Sequence, residues 1–484
     1  MSRMVDLSTV SPAIALGPLD GRYRAVAAPL VNHLSEAALN RARLQVEVEW
    51  LIHLTDTSAL PGAPALSASE KAYLRAIITS FGEQDIAELA SIEAETRHDV
   101  KAVEYLLKRR LAAAAADPGV VGADGGPTVL PAVGEVVHIF CTSEDINNLS
   151  YALTIQAAIT GVWLPAARGL VEDLAAMARE HAGAAMLSRT HGQAATPTTL
   201  GKELAVLAHR LGRQLRRVEN AEYLGKINGA TGTFGAHAVS VPGTDWQQVA
   251  RSFVEGLGLT WNPLTTQIES HDWQAELYSD IARFNRVAHN LATDAWTYIS
   301  LGYFHQRLSA QGSTGSSTMP HKVNPIRFEN GEANLEISCA LLEALAATLV
   351  TSRLQRDLTD STTQRNIGVA VGHSLLAIDN IRRGLAGLDV DHQRLTEDLE
   401  ATWEVLGEAV QQAMRAASVA GATGMADPYE RLKELTRGKQ VTAEGMRGFI
   451  AGLGLPDDVE ARLMALTPAT YTGLAADLVA HLED

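Results

Sequence analysis

Apolar residues recur in steps of three and four along several long stretches of the chain. From Leu200 they fall at Leu204, Leu207, Leu211, Leu215 and Val218, with Arg210, Arg213, Arg216 and Arg217 interleaved. A second series is Leu277, Ile281, Phe284, Ala288, Leu291, Ala295 and Tyr298, and a third runs through Leu335, Leu342, Leu345 and Leu349. Such spacing puts each series on one stripe of a helix. Helices of about 25 residues with a single apolar seam pack as a bundle. The period-two alternation of a half-buried strand is hard to find, so the fold class expected is all-α with a central bundle of long helices.

Composition agrees, since aromatics are scarce at 5% while alanine and leucine, which lose little side-chain freedom in a helix, are abundant. A chain of 484 residues exceeds a single compact core, and two or three domains are expected. Two segments punctuate the pattern. Residues 112–134 (AAAAADPGVVGADGGPTVLPAVG) read as a mobile insertion or linker, and residues 421–440 open on Gly and Pro before turning charged. Boundaries near 134 and 376 give an N-terminal helical domain (1–134), a central long-helix bundle (135–376) and a C-terminal helical domain (377–484).

The net charge of −16 repels nucleic acid and anionic membrane surfaces, so neither is an expected partner. A small anionic substrate stays possible, because a few cations in one pocket reverse the local potential. Cys141 and Cys339 stand far apart and in no CxxC spacing, which fits a reducing compartment. The N-terminal stretch has no continuous apolar core and no run of about 20 apolar residues occurs, so a cytoplasmic protein is expected.

Candidate chemistry concentrates in Gly315-Ser316-Ser317-Thr318-Met319-Pro320-His321-Lys322-Val323-Asn324-Pro325, between two long helical patterns. Serines, a lysine and an asparagine in one loop can grip a carboxylate, although a polar interhelical loop has the same composition. His98-Asp99 can orient a proton donor, bind a metal or lie exposed on a helix. Gly229, Gly232 and Gly235 match no phosphate-binding loop and read as a tight turn between helices. His271-Asp272 lies near no second histidine at a ligand spacing, so no metal site is expected there.

The string GSSTMPHKVNP resembles the signature of the fumarase/aspartase superfamily. SPAIALGPLDGRY, TRHDVKAVEY, CTSEDINNLS, LSRTHGQAATP, GKINGATGTFGAH, WNPLTTQIESHD, SRLQRDLTDSTTQRN and YERLKELTRGK follow in the order of one branch, the bacterial adenylosuccinate lyase family. The departures are a long 112–134 segment and Ala194, where the family's THGQ is usually followed by proline. The resemblance implies a three-domain lyase fold and a cofactor-free β-elimination that releases fumarate from a succinylated purine nucleotide. It casts Ser316 as general base and His191 as general acid, with His98 as the runner-up for the acid. Lys322 and Asn324 would hold the reacting carboxylate and stabilise the dianion formed when the proton leaves. Arg97, His98, Asp99, Thr142, Ser143, Gln267 and Asn330 match substrate contacts. Arg22, Tyr23, Arg356, Ser361, Thr362, Thr363, Gln364 and Arg365 match the nucleotide and phosphate end. It also implies a homotetramer whose active sites are shared between subunits. The nearest alternative is another fumarate-releasing lyase such as argininosuccinate lyase, which has no use for the nucleotide positions. A non-catalytic protein on the same scaffold would be expected to lose Ser316, His191 or Lys322, and all are present.

Overall fold

A computed structural model describes residues 5–6, 16–307, 319, 323–425, 427–436 and 441–483. It is all-α, as the periodicity predicts. The described strands are two or three residues long and pair only two by two. The three apolar series lie on helices Leu200–Glu219, Asp272–Ser300 and Ile326–Leu349. Every member is buried except Tyr298, which is half-buried, while the interleaved arginines of the first helix are exposed. The continuous stretch Ser143–Glu180 is long and apolar enough on composition to cross a membrane, but most of its apolar side is packed inside the protein.

Contacts group the chain into two compact units, each built from three stretches. The first comprises Met1–Ala167, Gln214–Arg286 and Ala333–Asp379; the second comprises Arg168–Arg213, Val287–Glu332 and Asn380–Asp484.

The first unit opens with helices α1 (Arg24–Leu34), α2 (Glu36–Asp56), α3 (Ala68–Thr79), α4 (Glu83–Thr96), α5 (Asp99–Ala113) and α6 (Ser143–Ala158). Leu44, Leu51, Leu74, Phe81, Val103 and Leu107 join one apolar core. Helix α2 has no polar face, and its buried set includes Arg41, Arg43 and Glu47. Charges survive such burial only when paired. Their partners lead to the site described below.

Residues 112–134 correct the expectation of a mobile insertion. Ala114, Val120, Leu130 and Val133 are buried in the α2–α5 core, and Val121 pairs with Pro127 in an isolated bridge. The anchor is Glu70, fully buried on α3. One carboxylate oxygen accepts from the backbone of Ser67 (2.8 Å) to complete a capping box, and the other accepts from the Thr128 hydroxyl and the Val129 amide (both 2.7 Å). Burial alone would raise the Glu70 pKa, but these bonds outweigh it and hold the group below its ordinary 4.5. Its contribution is therefore present above that value and lost as pH falls through the lower folded one. Glu70→Ala should cost about 2–4 kcal/mol, since it strands three donors at once. Denaturant unfolding would measure this, and limited proteolysis should find 112–134 resistant in the parent protein and cleaved in the variant.

In the second unit, Val410, Met414, Met446, Ile450 and Leu463 form a separate apolar cluster among the last helices. Strand Phe304–Gln306 pairs antiparallel with Leu388–Val390. A smaller hairpin, Arg189–Thr190 with Gln193–Ala194, carries one of the predicted reacting groups.

Candidate active site

Helix α6 begins at a polar knot. Thr142 is its N-cap and forms a capping box with Asp145, whose Oδ2 accepts the Thr142 amide (2.9 Å). The same carboxylate accepts the amides of Asn228 (2.9 Å) and Gly229 (3.0 Å) and the Lys226 ammonium (2.9 Å). Asp145 and Lys226 are both wholly buried. Gly229 to Gly232 form the expected tight turn, but it joins the short strand Leu224–Gly225 to the helix Gly235–Ser240 rather than two helices, and Gly235 is the first residue of that helix. Gly232 sits at φ +78°, and a Cβ there would lie 2.3 Å from the Thr265 carbonyl oxygen, so only glycine lets the two backbones meet. Thr142-Ser143 and the glycine turn are thereby held against each other.

Arg356 closes the next contact. Its Nη2 pairs with buried Glu144 (2.9 Å) and its Nη1 approaches the Gln267 Oε1 (3.4 Å), while Gln267 donates to the Ala230 carbonyl (3.0 Å). Arg356 Nε is buried with no hydrogen-bond partner. A guanidinium with a free buried N–H beside the start of a helix is suited to an anion.

The TRHD segment lies between α4 and α5. Arg97 ends α4 in the left-handed conformation (φ +51°), and His98 caps α5, its Nδ1 accepting the Lys101 amide at 3.3 Å. The His98 side chain is half-exposed. Asp99 bonds Arg43 at 2.8 Å and meets Arg365 at 3.4 Å, and Arg365 also pairs with Glu36 (2.9 Å). Burial would raise the Asp99 pKa, but the charges of Arg43 and Arg365 and the bonds from Arg43 and the Val100 amide hold it below the ordinary carboxylate value. Arg43 Nε donates to Asn147 (2.9 Å), and Asn147 donates to Glu144 (2.7 Å). A single web thus runs Arg365–Asp99–Arg43–Asn147–Glu144–Arg356–Gln267.

Segment 359–365 rests on a second buried network. His271 Nε2 faces Asp360 at 3.4 Å and its Nδ1 meets the Gln274 amide at 3.3 Å. Gln364 is itself buried and donates to Gln274 Oε1 (3.3 Å), while Thr362 is exposed and Ser361 and Thr363 are half-buried. Before α1, Arg22 is exposed with its guanidinium over the Tyr23 ring (5.8 Å).

In the second unit, His191 and Gly192 occupy the two-residue hairpin tip with φ +54° and +76°. Two successive positive values match the twist of a tight hairpin. A histidine there is held in a sparsely populated conformation, which places an exposed imidazole at the apex. Arg189 fixes the hairpin through Asp398 (2.5 Å), which also accepts from the Tyr303 hydroxyl (2.5 Å). Asn324 and Asn330 are half-buried around the start of the helix Ile326–Leu349. Ser316 and Lys322 lie outside the described residues.

Residues 21–337 match a family described as lyase, and residues 352–472 one described as adenylosuccinate lyase C-terminal. The chain is 47% identical to the adenylosuccinate lyase of Escherichia coli K12 over 98% of its own length and all of the relative. The Haemophilus influenzae adenylosuccinate lyase is 45% identical over 99% of the chain and all of the relative. The chain belongs to the adenylosuccinate lyase family. Its fold is that of the wider lyases: a fumarate lyase from Mesorhizobium sp. BNC1 superposes with TM-score 0.72 at 20% identity, covering 94% of this chain and 97% of the other. A 3-carboxy-cis,cis-muconate lactonizing enzyme from Pseudomonas putida gives 0.70 at 22%, covering 94% and 96%.

The web brings in Arg43, Glu144 and Asn147, and the knot brings in Asp145 and Lys226, none of which sequence reasoning singled out as a site residue. Of these only Arg43 carried no signal: Glu144, Asp145 and Asn147 lie inside CTSEDINNLS beside Thr142-Ser143, and Lys226 lies inside GKINGATGTFGAH.

Proposed function

We propose that the protein catalyses β-elimination of fumarate from adenylosuccinate, giving AMP, and from the succinyl-carboxamide ribotide SAICAR, giving AICAR, in purine nucleotide synthesis. The observation that carries this is full-length kinship with adenylosuccinate lyases. The web supports it by joining five expected substrate or nucleotide contacts, or their immediate neighbours, in one unit. In this reading Arg356, with its unpartnered Nε, and Arg365 take the phosphate end with Ser361, Thr362, Thr363, Gln364, Arg22 and Tyr23. Arg97, His98, Asp99, Thr142, Ser143, Gln267 and Asn330 hold the remainder of the substrate.

Ser316 removes the proton from the carbon beside the reacting carboxylate, and the electron pair moves into that carboxylate as an aci-dianion. Lys322 and Asn324 stabilise the dianion, and charge stabilisation of this kind lowers the barrier more than any other single effect. The C–N bond then breaks as His191 protonates the departing nitrogen. Exposure at a hairpin apex suits a group that must enter and leave contact with a substrate. The same reading includes a cytoplasmic homotetramer with sites shared between subunits, and the three-domain division 1–134, 135–376 and 377–484.

Ultraviolet absorbance of purified protein with adenylosuccinate tests the reaction. Turnover is expected; fumarate from argininosuccinate alone would overturn the nucleotide assignment. His191→Ala should lower kcat about a hundredfold or more and leave KM within a few-fold, because it removes an interaction made in the transition state. A mild loss equal to that of His98→Ala would reverse the roles.

A further inference from the structure

Behind Thr142 and Ser143 lies a group of ionisable side chains that the elimination does not use. Glu47, wholly buried on α2, grips His138 twice: its Oε1 is 2.6 Å from the imidazole Nδ1 and its Oε2 accepts the His138 amide at 3.1 Å. The opposite ring nitrogen, Nε2, faces Glu104 on α5 at 3.7 Å, and Glu104 pairs with Lys101 at 2.6 Å. Lys101 is one turn from His98 and gives it the capping amide bond. His138 therefore stands between the two helix starts that carry His98-Asp99 and Thr142-Ser143.

The segment it begins is under conformational load. His138 and Phe140 both adopt left-handed backbone (φ +61° and +62°), which persists in non-glycine residues only when the surroundings enforce it. The enforcing contacts are the Glu47 clamp, the Trp50 indole donating to the Ile139 carbonyl (3.3 Å), and the Phe140 ring against His237 (4.9 Å) and Trp246 (5.2 Å). Glu47 supplies the charged one.

We propose that His138 is a positioning residue, an imidazolium whose hydrogen bond to Glu47 and approach to Glu104 hold residues 138–143 in place, so that its deprotonation loosens Thr142-Ser143 and weakens substrate binding. The inference rests on the reading above that Thr142 and Ser143 contact substrate. Charge balance argues for the cation. With His138 protonated, Glu47 and Glu104 are matched by His138 and Lys101; without that proton, the two carboxylates share the one charge of Lys101, which pairs directly with Glu104 and leaves wholly buried Glu47 without a cation in contact. The other charged groups facing the ring agree: Asp145 on α6 is paired with Lys226, Lys101 leans over the Tyr105 ring, and Cys141, its thiol pushed up by burial, stays neutral. Burial by itself would lower the His138 pKa, but the Glu47 bond and the charges of Glu47, Glu104 and Asp145 outweigh it and keep the ring above 6.5. A raised folded value means that the clamp is complete below the unfolded pKa and is lost as pH rises through the folded one.

Glu47→Gln keeps the shape and removes the charge. The alkaline rise in KM for adenylosuccinate should then start roughly one pH unit or more earlier, since burial is left to dominate the ring. KM at pH 8 should rise about tenfold, the worth of one good hydrogen bond, with kcat changed far less. Lys101→Met, at a half-exposed position, should move the onset slightly the other way, because it removes a cation near the ring. Amide hydrogen exchange of the unmutated protein, read by mass spectrometry and corrected for intrinsic rate, should lose protection in 137–143 over the same pH range while the α2 peptides keep theirs. This second measurement needs neither turnover nor a folded variant. Protection in 137–143 that does not change with pH would overturn the proposal, as would a folded Glu47→Gln protein whose KM–pH profile superimposes on the parent. An absence of turnover with intact pH-dependent exchange would instead strike the functional reading.

Discussion

Fumarate release from adenylosuccinate is expected to fall about a thousandfold when Ser316 is replaced by alanine, which lies within the span that general bases contribute. Alanine keeps the length of the loop and removes only the oxygen that takes the proton. Lys322 and Asn324 would still hold the carboxylate, so KM should move by no more than a few-fold and the loss should appear in kcat. The same asymmetry separates this role from mere support of the loop, since a collapsed loop would forfeit carboxylate binding and raise KM together with the drop in rate. A variant that retains more than a tenth of the parent kcat would place the base elsewhere, and His98 and the exposed His191 would then be tested in turn. Parallel assays at saturating substrate, with the far-ultraviolet circular dichroism of both proteins, decide the matter.

The architecture was legible because it is written in local periodicity. Leu204 to Val218 and Leu277 to Ala295 fall on buried stripes as the spacing requires, and the arginines between the first series stay in water. The site was legible only where a motif marks it. Nothing local announces that Arg43 reaches Asn147, 104 residues away, or that Lys226 reaches Asp145, 81 residues away. Lysine and arginine are ordinarily exposed, so their burial is settled by distant partners. The 112–134 segment shows the converse error. Alanine, glycine and proline suggest an unanchored chain, yet Val120, Leu130 and Val133 give it an apolar footing and Glu70 ties it to α3 by two hydrogen bonds, from the Thr128 hydroxyl and the Val129 amide. A few well-placed apolar residues outweighed the composition of the rest. His191 lies between these cases: the hairpin's Gly192 could be anticipated, but a histidine at positive φ could not.

The largest stability effect is expected at the knot below Thr142. Lys226→Met should cost about 3–5 kcal/mol, because it leaves Asp145 ionised in a site with no access to water. Three backbone amides, from Thr142, Asn228 and Gly229, would still point at the carboxylate, and they soften the loss without supplying the missing charge. Methionine matches the lysine stem in length, so packing is nearly conserved and the measured change reports on charge. Adding Asp145→Asn to Lys226→Met should recover part of the loss, since no net charge is then buried; the coupling is read from the double-mutant cycle in denaturant midpoints. If Lys226→Met unfolds at the parent midpoint, the pair is energetically idle and the glycine turn is held by the backbone alone. The variant also connects fold to chemistry. The carboxylate that Lys226 neutralises receives the Thr142 amide, so a folded Lys226→Met protein should bind adenylosuccinate more weakly while its bound substrate reacts at close to the parent rate. A fall in kcat with KM unchanged would mean that the knot governs the reacting groups rather than the seat of the substrate.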